Sequence, residues 1–138
     1  MQYVAKAFVQ RPDGKVLILT RSDTRPRYPL HDDLPGGEID QNESHVTGLL
    51  RELVEEAGIR AAAAQVQFIA ETVHSPELTY LVYSVGVEDH PSIFLSWEHS
   101  AYHWTTIDTL LRYPQPEGYD SYFRFALAML ITHRHLFD

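Results

Sequence analysis

The chain has 138 residues, 44% of them hydrophobic and 22% charged, an ordinary balance for one folded domain with its own core. The formal net charge of -8 offers no basic footprint for a nucleic-acid polymer. The absence of cysteine excludes disulfides, thiolate metal sites and a cysteine nucleophile.

The elements follow in chain order. Tyr3 to Gln10 alternates loosely and reads as a strand, and Arg11 to Lys15 ("RPDGK") has turn chemistry. Lys15 to Thr20 reads as a second, buried strand, so the two suggest a hairpin. A polar loop is expected from Arg21 to Gly37, and a helix from about Ser44 to Ala57. Val66–His74 and Leu78–Val87 read as a strand pair, followed by a loop over Glu88–Ser100. A short strand (Ala101–Thr106), a short helix (Ile107–Arg112), a loop (Tyr113–Asp120) and a helix from Ser121 to Phe137 complete the chain. The sequence contains no internal repeat, linker or membrane-length apolar run. No charged-then-apolar leader opens it, so a cytoplasmic protein, monomer or homodimer, is expected.

The helix from Ser44 carries the chemistry. Asn42 or Ser44 can cap its start, and Gly58 suits its end. At about 100° per residue, Val46, Leu49, Leu50, Leu53 and Ala57 form one stripe for the core. Glu52, Glu55 and Glu56 have their mean direction roughly 125° away, so they are expected to converge with one another and avoid the core. Like charges at this spacing repel, and few cations lie nearby on the helix. Such a face suits Mg²⁺ or Mn²⁺, hard cations that take carboxylate oxygens together with substrate phosphates. Gly36 and Gly37 permit close backbone approach just before it. Arg51 lies outside both groups and is positioned to meet Glu43. In an acidic protein, a divalent cation would also supply the positive charge that an anionic substrate needs.

The stretch Gly37 to Ile59 resembles the Nudix box, G-x5-E-x7-R-E-U-x-E-E-x-G-U, with U bulky and aliphatic. It matches at every specified position: Gly37, Glu43, Arg51, Glu52, Leu53, Glu55, Glu56, Gly58 and Ile59. Seven fixed residues would coincide by chance on the order of 10⁻⁸ per window. The resemblance implies a Nudix fold spanning residues 1–138, an α/β/α sandwich with a mixed β-sheet. It implies hydrolysis of a nucleoside diphosphate linked to another group. Glu52, Glu55 and Glu56 would hold the metal together with the Gly37 carbonyl, and Glu43 would pair with Arg51. The general base varies in the family, and here Glu52 and Glu98 are the candidates. The loop bearing Glu98 is expected to be mobile without substrate.

Arg21, Arg25 and Arg27 stand before the box as candidate phosphate contacts, with solubilising arginines as the competing reading. Tyr28, Trp97 and Trp104 are candidates to stack on a base or to fill the core. The eight histidines show no metal-ligand spacing. The substrate is less legible. Pro76 lies seventeen residues beyond Ile59, out of register for the ADP-ribose pattern, and Tyr80 lies twenty-one beyond, out of register for the dinucleoside polyphosphate pattern. "LILTRS" and "LPGG" resemble the coenzyme A pattern without its spacing. A compact chain is similar to the nucleoside triphosphate pyrophosphohydrolases, and that class is favoured. ADP-ribose or other nucleotide-sugar and dinucleotide pyrophosphatases are the alternative. So is a non-catalytic nucleotide sensor, although sensors often have a damaged box and this one is intact.

Overall fold

A computed structural model describes residues 1–112 and 120–138. The strands are β1 (Gln2–Gln10), β2 (Val16–Arg21), β3 (Asp32–Asp33), β4 (Gly36–Glu38), β5 (Val66–Ser75), β6 (Leu78–Gly86) and β7 (His99–Thr105). The helices are α1 (His45–Ala57), α2 (Ile107–Arg112) and α3 (Ser121–Thr132). Single 3-10 turns cover Ala63–Gln65 and Arg134–Phe137.

Alternation along the inner strands builds the layers. Phe8, Val16, Ile18 and Val82 point to one face, where α2, α3 and Phe137 cover them. Ala7, Val9, Leu17, Leu19, Leu81 and Val85 point to the other, against Leu49, Leu53 and Ala57 of α1. The outcome is the expected α/β/α sandwich. The sheet runs β3-β2-β1-β6-β5, with β4 added to β1 and β7 to β2. It is mixed. β1 and β6 pair in parallel over Gln2–Gln10 and Leu78–Gly86, while the other pairs are antiparallel.

The helix reading holds in detail. The Ser44 hydroxyl accepts from the Thr47 N–H at 3.2 Å, and Gly58 closes α1 at φ 68. Leu49, Leu53 and Ala57 are buried, and Val46 and Leu50 pack partly against them.

Several boundaries differ from expectation. The segment read as one loop from Arg21 to Gly37 contains the end of β2 and the whole of β3, together with the first residues of β4. Their partners lie on β1 and β2, and strands this short leave no periodic signal. The hairpin of β1 and β2 closes at Gln10–Val16, after which β4 rather than β2 lies beside Val4–Lys6. β7 starts at His99, two residues early. The last helix stops at Thr132, where His133 (φ -110) turns the chain into the 3-10 turn. Of the expected loop over Tyr113–Asp120, residues 113–119 lie outside the described residues.

Candidate active site

Gly36 and Gly37 are placed on β4 by its pairing with Ala5 and Lys6 of β1. Gly36 adopts φ 135, and a Cβ there would lie 2.2 Å from the Ala5 carbonyl oxygen, so only glycine allows this approach. β4 thereby lies over the last turns of α1. The Gly36 N–H donates to Glu56 Oε2 at 2.7 Å. The Glu52 carboxylate rests on Gly37, where a Cβ would stand 2.7 Å from its Oε2.

The three helix glutamates form a graded series. Glu56 is 5% exposed, the Glu52 side chain 16% and the Glu55 side chain 57%. Expecting all three to avoid the core is therefore wrong for Glu56. Seven residues return the helix to within about 20° of Leu49, so Glu56 lies beside the apolar stripe and Glu55 nearly opposite it. Burial pushes the Glu56 carboxyl up to about 8, although Lys6 and the Gly36 N–H favour its charged form. Burial also raises Glu52, against the opposing effect of Arg51.

Arg51 pairs with Glu43 as expected: Nη2 donates to Oε1 at 2.7 Å and Nε to Oε2 at 3.1 Å. It also reaches Glu52 and Glu55, through Nη1 at 3.1 and 3.0 Å, and donates to the Glu38 carbonyl at 3.0 Å. The expectation of few cations near this face holds only in part, because Arg51, expected outside the glutamate group, reaches two of its three members. The Glu43 hydrogen bond is the first cause holding Arg51 up, and Arg51 in turn holds Glu43 down. Drawn apart by Arg51 on one side and the Gly36 N–H on the other, the glutamates do not close into a cage. Among the described residues, no three His, Asp or Glu side chains do so.

A cleft of about 350 Å³ gathers Gly37, Glu52, Glu56, Glu98 and Arg25, with Lys6 and Asp33 also in its wall. Glu98 is therefore at the site, and its loop is tied down rather than loose. The Ser96 N–H donates to the Glu56 carbonyl and the Ser22 N–H to the Glu98 carbonyl, both at 2.9 Å. Glu98 meets Arg25 at 3.1 Å. Glu55 does not line the cleft.

The three arginines separate. Arg25 faces the cleft, whereas Arg27 is exposed and does not line it. Arg21 is 6% exposed, with Nη1 on Asp33 Oδ2 and Nε on the Arg27 carbonyl, both at 3.1 Å. Its guanidinium is committed to the protein, so the reading of Arg21 as a phosphate contact is withdrawn. Trp97 is 72% exposed on the turn, and Trp104 packs partly against the α1-side core beside Arg11.

Sequence reasoning missed the buried polar cluster behind the cleft. Asp33 accepts from Lys6 Nζ at 2.7 Å, Arg21 at 3.1 Å and the Leu34 N–H at 2.9 Å, and pairs with His99 Nε2 at 2.9 Å. Burial opposes its charge, but Lys6 and His99 outweigh that and hold the carboxyl well below its usual range. Burial likewise works against the Lys6 ammonium, and Asp33 and Glu56 more than offset it. His99 Nδ1 lies 3.9 Å from Glu56 Oε1. The one available signal was Lys6, a charge inside an otherwise apolar strand.

A helix bearing graded carboxylates, overlaid by a glycine strand in an α/β/α sandwich, is the site architecture of a Nudix hydrolase. The NUDIX domain model matches residues 2–125, and the chain belongs to that family. It is 30% identical over 111 residues to a CTP pyrophosphohydrolase of Escherichia coli K12, covering 80% of each chain. Its fold is similar to that of the MutT protein of Methanosarcina mazei Go1 (TM-score 0.73, 24% identity, 96% of this chain and 94% of that one). It is also similar to the MutT NUDIX hydrolase of Burkholderia pseudomallei (TM-score 0.72, 25% identity, 94% and 97%).

Proposed function

We propose that this protein is a divalent-metal-dependent pyrophosphohydrolase that converts a nucleoside triphosphate and water to a nucleoside monophosphate and pyrophosphate. The observation that carries the chemistry is the cleft that gathers Glu52, Glu56 and Glu98 with Arg25 and the partly buried Lys6. The substrate class follows from the Escherichia coli relative, so CTP and dCTP are the first nucleotides to test. A cytoplasmic location and a monomer or homodimer belong to the same reading. No helix of the described residues is long and apolar enough to cross a membrane.

The donors in the cleft are oxygens, and Glu52 lies in the cradle that Gly37 leaves open, which fits Mg²⁺ or Mn²⁺. Glu52, Glu56 and the Gly37 carbonyl would hold the cation from the cleft, and Glu55, bonded to Arg51 outside it, would join them by turning from that arginine. When bound, it neutralises phosphate charge and lowers the pKa of the attacking water. Arg51 and Glu43 fix the rotation of α1, so that Glu52 and Glu56 present their oxygens from one side of the cleft. Arg25 turns from Glu98 to a phosphate oxygen of the substrate. Glu98, thereby freed, accepts the proton of the attacking water. Lys6 remains behind Glu56 and offsets the negative charge at the cleft floor.

The test is a panel of CTP, dCTP, ATP, GTP, UTP, ADP-ribose and diadenosine tetraphosphate, assayed for pyrophosphate and phosphate with Mg²⁺, Mn²⁺ or EDTA. Pyrophosphate from a triphosphate, abolished by EDTA, is the expected result. Cleavage of ADP-ribose or the dinucleotide alone would overturn the substrate class. Nucleotide binding without any cleavage would identify a sensor.

A further inference from the structure

Ser22 directly follows β2 and is only 6% exposed, although the chemistry above gives it no part. Its N–H donates to the Glu98 carbonyl at 2.9 Å and its hydroxyl to the Trp97 carbonyl at 2.5 Å. Its own carbonyl accepts from the Arg25 N–H at 3.2 Å. One residue thus grips the backbone of both arms whose side chains, Arg25 and Glu98, meet at 3.1 Å in the cleft.

The turn that carries Glu98 is held from a second side by α1. The Phe94 N–H donates to the Ala57 carbonyl at 2.8 Å, and the Ser96 N–H to the Glu56 carbonyl at 2.9 Å. The turn closes on itself through the His99 N–H and the Ser96 carbonyl at 3.3 Å. Two anchors on α1 fix how far the turn stands from the helix. β7 holds its far end, where His99 pairs with Arg21 of β2 and its ring meets Asp33, and the two bonds from Ser22 fix Trp97 and Glu98 between these supports. The Ser22 hydroxyl acts on the residue adjacent to Glu98, so it governs the direction in which the Glu98 side chain leaves the backbone.

We infer that Ser22 is a positioning residue, whose hydroxyl orients the Ser96–His99 turn so that the Glu98 carboxylate enters the cleft above Glu52 and Glu56. This rests on Glu98 being the general base. A displacement of about 1 Å at a reacting group can lower a rate on the order of 10²-fold. Ser22→Ala keeps the backbone bond to Glu98 and removes only the hydroxyl tether, so the turn shifts without detaching.

The experiment measures kcat, KM and Mn²⁺ affinity by electron paramagnetic resonance, with the best nucleotide of the panel. The proteins are the wild type, Ser22→Ala, Glu98→Gln and the double variant. Ser22→Ala is expected to lower kcat about 10-fold or more, with KM and Mn²⁺ affinity within about 2-fold of wild type. The double variant is expected to be no slower than Glu98→Gln, because the hydroxyl then has no base left to place. Losses that multiply in the double variant would overturn the inference, and so would a Ser22→Ala kcat within about 2-fold of wild type. A Glu98→Gln variant at the wild-type rate would instead remove Glu98 from the mechanism, and the inference would fall with that assignment.

Discussion

Replacing Glu56 by Gln in the metal-free protein isolates the free energy stored in one buried carboxylate. Gln keeps the shape and can still accept from the Gly36 N–H, but it cannot ionise. In the wild type, burial moves the carboxyl from 4.5 to about 8. The folded state therefore holds a proton that the unfolded state has lost throughout the window between those values. Stability falls as pH rises across that window, with a slope of about 1.4 kcal/mol per pH unit. Integrated from about pH 6 to pH 9, the loss is about 2–3 kcal/mol, most of it complete by pH 8. Urea unfolding in EDTA at several pH values, wild type beside Glu56→Gln, cancels the other titrating groups. The two stabilities should diverge with rising pH, in favour of the variant. Bound metal requires the ionised carboxylate, so Mn²⁺ affinity of the wild type should rise over the same window. Parallel stability curves from pH 6 to pH 9 would refute the argument, because Glu56 would then not be protonated in the fold.

Further outcomes follow from the same geometry. Glu55→Gln and Glu56→Gln should each lower kcat at least about 10²-fold in a pyrophosphate-release assay, since each removes a metal-binding oxygen. Full activity at saturating Mg²⁺ would place the site elsewhere. Arg51→Ala should lower both stability and Mn²⁺ affinity, and a double-mutant cycle with Glu43→Ala should return a coupling of about 0.5–3 kcal/mol rather than additivity. Gly37→Ala should leave the fold intact but displace the Glu52 carboxylate that lies 2.7 Å from the added methyl, seen as weaker Mn²⁺ binding. The pH–rate profile should lose its acidic limb in Glu98→Gln and keep it in Glu52→Gln, and the reverse would make Glu52 the base.

The parts of the site that lie within one helix were legible in the sequence. Periodicity gave the apolar stripe of α1, its cap at Ser44 and its stop at Gly58, and the spacing of Arg51 and Glu43 anticipated their ion pair. Averaging three directions concealed the difference between Glu56, beside Leu49, and Glu55, on the far side. The partners that complete the site come from distant strands and left no local trace. Asp33 sits in a stretch that reads as polar loop, yet it is the acceptor shared by Lys6, Arg21 and His99. Arg21 ends a strand, which turned its guanidinium inward to that acid instead of toward a phosphate. Long loops are often mobile, which suggested a distant Glu98. The backbone bonds to α1 and Ser22 keep that loop in place, and they depend on which carbonyls face which N–H groups after folding.

The parallel pairing of β1 with β6 has a consequence for how the protein is born. β1 is made well before β6, yet its nine-residue ladder joins it to that strand, which begins at Leu78. Its other edge receives β4, the strand that carries Gly36 and Gly37. On a ribosome, residues 2–10 and the complete α1 are synthesised before β6 exists. Non-local pairings of this kind are slow, because a long loop must close before any contact rewards the closure. The glycine strand thus has its partner early, but that partner remains an unsupported edge until residues 78–86 emerge. The turn bearing Glu98 follows later still. The cleft therefore cannot form until that turn has emerged, and a nascent chain halted before residue 98 carries the whole carboxylate helix without the cleft it borders.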